Sequence, residues 1–132
     1  MAKMKESTIS TGLKYLFLIH GIVSLVFGLL FCFTPLCFAD LFSHFGSVNP
    51  CTMRLTGAII LAIAVKDWFC FVAKRWDEVR IPVLMEIALT LFATIACLYA
   101  LLLAWAPNEI WSCFVFFPAF FVAWVYFYVK HR

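Results

Sequence analysis

Four ionisable side chains lie inside long apolar runs of this chain: His20, Lys66, Asp67 and Glu86. His20 follows Lys14 by six residues, Glu86 follows Arg80 by six, and Lys66 precedes Lys74 by eight. At about 1.5 Å of rise per helical residue, each lies roughly 9–12 Å inside a boundary marked by those cations. Carboxylate, imidazole and ammonium groups at one level can pass protons or hold ions, and such residues inside a membrane mark ion and proton pathways. The same groups can equally form a structural pair that fixes helix register. The spacing favours a Lys66–Glu86 ion pair, with His20 near it and Asp67 as an alternative or second acid. Asp67 projects about 100° away from Lys66 on a helix, so these two need not pair with each other. Lys66 also has the stem length to snorkel toward the cytoplasm.

Other reactive groups are sparser. Arg54 is a lone cation at the far end of the second apolar run, where Asp40 or phosphate headgroups can meet it. Cys32, Cys37, Cys51 and Cys113 fall near that same outer face, and a Cys37–Cys51 disulfide fits an oxidising compartment. A quinone-linked thiol oxidoreductase would need a CxxC pair, whereas the nearest spacing is Cys32-x4-Cys37. There is no P-loop, no dinucleotide glycine fingerprint and no HExxH. His20, His44 and His131 are too scattered for a metal site, and no basic, aromatic-interleaved patch points to nucleic acid. The expectation is a protein without cofactor or resident metal, and not an enzyme.

The elements that must position these groups are set by composition. Of 132 residues, 66% are hydrophobic and only 13% charged, and the mean hydropathy is +1.03. A soluble domain is about half apolar and a quarter charged, so the chain belongs in a bilayer. Four segments reach the roughly 20 apolar residues that a span requires, at about 13–34, 51–73, 81–105 and 110–129. Lys3, Lys5, Lys14, Lys74, Arg75, Arg80, Lys130 and Arg132 fall at the N-terminus, the 2–3 link and the C-terminus, and only Arg54 on the other side. The positive-inside rule therefore puts both termini in the cytoplasm. The apolar run 15–33 is too long for a signal-peptide core, and Cys37-Phe38-Ala39 is a poor cleavage site, so the first segment reads as a retained span.

Along helix 1, Phe17, His20, Gly21, Ser24 and Gly28 form one stripe, the small and polar kind that packs against other helices in lipid. Phe38, Leu41, Phe42 and Phe45 recur at helical spacing after Thr34-Pro35, which predicts a short amphipathic helix over about 35–45 on the outer surface. In helix 2, Ala58, Ala62 and Lys66 give a close-approach row. The 74–80 link reads as a short charged loop joining helices 2 and 3 into an antiparallel hairpin. Helix 3 sets Glu86, Thr90, Ala93, Thr94, Cys97, Ala100 and Ala104 opposite Leu91, Phe92, Ile95, Tyr99 and Leu102, the first face inward and the second to lipid. Helix 4 offers Ser112, Ala119 and Ala123 as its small face, with Pro118 a kink point. Trp105 and Trp111 fit the outer interfacial belt and Trp76 the inner one.

The span 41–76 carries an outer Phe-Gly turn, a proline and then RLTGAIILAIAVKDWFCFVAKR. It resembles a broad group of small, largely uncharacterised four-helix microbial membrane proteins. These carry a Leu-Phe-Gly…Pro…Arg-Leu-x-Gly-Ala segment and a polar residue before the Trp of helix 2, the place that Asp67-Trp68 holds here. The resemblance covers about a quarter of the chain; it implies the same architecture and no activity. The expected fold is thus an all-α, single-domain, four-transmembrane-helix bundle, N-in and C-in, with an outer amphipathic helix between helices 1 and 2. The expected function is that of a non-enzymatic multipass protein in contact with lipid and with another membrane protein or itself, as a complex subunit or homo-oligomer. The alternative is a small proton- or ion-coupled transporter using the polar layer; a membrane thiol or lipid enzyme is a third reading. The topology has a direct check: green fluorescent protein fused after Arg132 fluoresces, whereas alkaline phosphatase at that position stays inactive.

Overall fold

A computed structural model describes residues 8–37, 49–102 and 110–132. It contains four helices long and apolar enough to cross a membrane: α1 (Thr11–Phe33), α2 (Pro50–Val72), α3 (Trp76–Leu102) and α4 (Ile110–His131). Among the described residues the only β pairing is an isolated antiparallel bridge between Thr8 and Arg75.

Local chemistry explains the helix starts. Ser10 is the N-cap of α1, its hydroxyl accepting from the Leu13 amide at 3.4 Å. Asn49 caps α2 by accepting from the Cys51 amide at 2.9 Å, and Pro50 follows at the first helical position, where its missing N–H costs nothing. Helix α3 starts five residues before the expected residue 81, so most of the supposed 74–80 loop is helical. The reason is an acidic first turn: the Glu78 carboxylate accepts from the amides of Lys74 and Arg75 at 3.2 and 3.4 Å. Pro82 and Pro118 both lie inside continuous helices. Residues 35–37 are helical; the rest of the expected 35–45 surface helix, with Asp40, lies outside the described residues, as do Ala104 and Trp105.

The helices pair as α1 with α2 and α3 with α4, while α2 and α3 touch only sparsely. Consecutive helices 2 and 3 are joined by a short link but pack on each other only sparsely. The cause is which face of α2 turns inward. Its buried residues are Gly57, Ala64, Asp67 and Cys70, whereas Ala58 and Ala62 are exposed, so the close-approach row lies about one residue, or 100°, from the expected one. Gly57 is essential to this contact. A Cβ there would sit 2.7 Å from the Cys32 backbone nitrogen and 2.9 Å from the Gly28 carbonyl oxygen. A cleft of about 570 Å³ stays open between α2 and α3, lined on the α2 side by Ala62, Val65, Lys66 and Phe69.

Helix α1 follows its pattern, with Gly21 half-buried, and α3 follows its own only in part, since Ala93, Thr94, Cys97 and Ala100 are half-buried. Phe17, His20, Ser24 and Gly28 are buried on α1, and Glu86 and Thr90 on α3, while Leu91, Phe92, Ile95, Tyr99 and Leu102 are exposed. Helix α4 departs: Ala119 is exposed, and the buried residue is Trp124. The apolar core joins Leu13, Phe17, Val79, Val83 and Trp124 near the end where α1 begins and α4 stops. Trp76 belongs to this core and is not a lipid-facing anchor; it is buried and stacks on His131 at 5.0 Å. The same end is closed by backbone bonds: the Ile9 amide donates to Lys74 O at 3.4 Å and the Ser10 amide to His131 Nε2 at 3.1 Å. His131 Nδ1 in turn donates to Phe127 O at 2.8 Å.

Gly57→Ala should lower stability by about 1–3 kcal/mol, because two of the three clashing atoms, Cys32 N and Gly28 O, are backbone and cannot rotate away. Thermal unfolding in mild detergent measures it, with the exposed Ala58→Leu as a near-neutral control.

Candidate functional site

The site is assembled from one residue of α1, two of α2 and one of α3. On α1, His20 lies one helical turn beyond Phe17 on the buried stripe. Gly21 beside it allows α2 to come close, since a Cβ there would be 3.1 Å from the Cβ of Asp67. His20 Nδ1 meets Asp67 Oδ2 at 2.7 Å. Its other nitrogen, Nε2, faces Glu86 Oε2 at 3.7 Å. Lys66 Nζ completes the arrangement by pairing with Glu86 Oε1 and, at 2.9 Å, with Asp67 Oδ1. The four groups thus form a closed ring, His20–Asp67–Lys66–Glu86, in which basic and acidic groups alternate.

Burial makes the ring chemically unusual. His20 is 8% exposed, Asp67 0% and Glu86 2%, and the Lys66 side chain is 22% exposed. With a neutral imidazole, one ammonium faces two carboxylates and the ring carries one negative charge. A proton on His20 Nε2 brings it to neutrality. Two carboxylates against one ammonium leave the ring room for one more positive charge. The aromatic ceiling comes from α4: Phe120 and Trp124 lie 5.0 and 5.7 Å from the imidazole, the second edge-on. These rings keep bulk water off that side. On α3 the Thr90 hydroxyl donates to Glu86 O at 2.7 Å and thus stays within its own helix.

Hydrogen bonding is incomplete. Asp67 Oδ1, Glu86 Oε2 and Trp124 Nε1 are buried without a hydrogen-bond partner among the described residues. Asp67 Oδ1 still has its ion-pair contact to Lys66, but without hydrogen-bond alignment.

All four residues of the expected polar layer come together here. Lys66 and Asp67, adjacent in sequence and not required by helix geometry to meet, do pair. Their backbone directions differ by about 100°, yet the four-carbon lysine stem curls round the helix to bridge that angle. Its ammonium is held in the ring and does not snorkel out. The reading of no metal site weighed histidines alone; the fold instead offers a mixed set, with ligand atoms of His20, Asp67 and Glu86 all within 4.8 Å of one another. Trp124 was not foreseen as part of the site, although it sits six residues before Lys130, the same depth as the other members.

The outer-face expectations fare differently. Arg54 is exposed and its carbonyl accepts from the Cys32 thiol at 3.5 Å; Asp40, its expected partner, lies outside the described residues. Cys37 and Cys51 are both free and exposed thiols, so the disulfide between them is not formed. Comparison with protein-family models, curated proteins and solved structures finds no match to this chain. The resemblance carried by the helix 2 segment therefore assigns no family.

The His20–Asp67 contact has a quantitative check. A double-mutant cycle with His20→Ala and Asp67→Asn, read by denaturant unfolding in micelles, should give a coupling of about 0.5–3 kcal/mol. Strict additivity would mean that the contact contributes nothing.

Proposed function

We propose that this is a small, non-enzymatic multipass membrane protein with both termini cytoplasmic, whose buried ring takes up and releases a proton or cation on the way across the bilayer. The observation that carries this reading is the alternating ring of His20, Asp67, Lys66 and Glu86, held between three helices. A ring used only to fix register would be replaceable by apolar side chains of similar volume at little or no cost. Ionisable groups inside membranes are costly, at about 2.5–3.5 kcal/mol each on insertion scales, which favours a working role. Access supports it as well. Lys66 lines the open cleft between α2 and α3, and Glu78 lines the same cleft nearer the cytoplasmic end. That cleft leads a charge from the inner surface to the ring.

A second reading, as a subunit of a membrane complex, draws on the same cleft, because a partner helix could fill the gap that α2 and α3 leave. The two readings separate in proteoliposomes that contain this chain alone. With a sodium- or potassium-loaded interior and an imposed pH gradient, a lumenal pH dye should report flux that Glu86→Gln and His20→Ala abolish. Both variants must keep the wild-type elution profile. Flux indifferent to Glu86→Gln would remove the carrier reading, and a silent wild type would leave the subunit reading.

A further inference from the structure

The proposed ion-handling role leaves open which ion the ring takes, and the donor atoms bear on this. We propose that His20, Asp67 and Glu86 form a site for a divalent first-row transition-metal ion, and that Lys66 is a tethered competitor that holds the site until the metal displaces it. The inference rests on the reading of the ring as an ion site and names its ligand class.

Three observations converge. First, the ligand atoms lie within 4.8 Å of one another and come from three different helices. The α2–α3 contact is sparse, so ligand binding between these helices breaks little packing. Second, Glu86 Oε2 is buried, without a hydrogen-bond donor, and faces His20 Nε2. Asp67 Oδ1, equally buried, has only a misaligned contact with an ammonium. Buried carboxylate oxygens so poorly supplied with donors are where a cation gains most. Third, the donors are one imidazole nitrogen and two carboxylates. Nitrogen suits zinc, iron, nickel and copper, and carboxylate oxygen suits manganese as well, so the mixture favours ions such as Zn²⁺ or Mn²⁺ over sodium or potassium.

Charge then fixes what Lys66 does. Two carboxylates neutralise one divalent ion, so an ammonium left beside it would be surplus and repelled. Lys66 has somewhere to go: its side chain is the one partly exposed member of the ring, and it borders the cleft that Glu78 also lines. Metal entry and lysine exit are two sides of one exchange.

The test is Zn²⁺ binding to the full-length protein in detergent micelles, followed by calorimetry and by competition with a fluorescent chelator. Lys66→Met removes the competitor and should tighten binding by about tenfold or more, within the usual range for coupled sites. Adding His20→Ala to Lys66→Met should abolish the gain, while His131→Ala, at the chain end, should leave it intact. Metal-dependent thermal stabilisation of Lys66→Gln provides the same comparison if the methionine variant folds poorly. Binding no tighter in either lysine variant than in wild type, or unchanged by loss of His20, overturns the proposal. Sodium- or potassium-supported proton flux that persists in that case would show that only the metal assignment fails; loss of both would remove the ion-handling reading too.

Discussion

The structure depends on acidic and basic groups that face one another where burial leaves little solvent to screen them. Two carboxylates, an ammonium and an imidazole are arranged so that each carboxylate faces basic groups. Because the ring draws on α1, α2 and α3, the same constraint fixes how those helices sit. It supplies the connection between α2 and α3, whose apolar packing is thin. In water such pairs are weak, since solvent screens them; here both carboxylates are buried, so screening is reduced.

Around this centre the apolar packing divides the work. Glycines at 28 and 57 let α1 and α2 approach until side chains of one meet backbone of the other. The α4 contribution is of another kind: Trp124 packs on Phe17 at 4.9 Å and edge-on to His20, so one indole joins the apolar core to the polar ring. The outward faces of all four helices carry large aliphatic and aromatic side chains, as expected where lipid is the neighbour.

Much of this was readable from residue order. Span length and apolarity identify the four helices, and the buried stripes of α1 and α3 follow from period alone because small and polar residues on one side contrast with bulky ones on the other. The shared depth of His20, Lys66 and Glu86 follows from counting back to flanking cations. The inward face of α2 does not, because Gly57 and Ala64 on one side compete with Ala58 and Ala62 on the other, and only the partner helix decides between two equal patterns. In α4 nearly every position is aromatic or aliphatic, so period carries no contrast and Trp124 looks like its neighbours. The early start of α3 was hidden because Asp77 and Glu78 read as loop charges when they are in fact its first turn. Pairing within the Lys66-Asp67 dipeptide was missed because helical geometry speaks for Cβ directions and a lysine reaches well beyond them.

The clasp at the chain ends bears on the order in which the molecule is made. The Ser10 amide and the His131 ring that accepts from it are 121 residues apart. During synthesis the second of these emerges only after all four helices have been produced, so the first helix is made with that contact still open. The N-terminal segment can settle against the link between α2 and α3 earlier, through Ile9 and Lys74. Closure by His131 is then the last of these end contacts to become available.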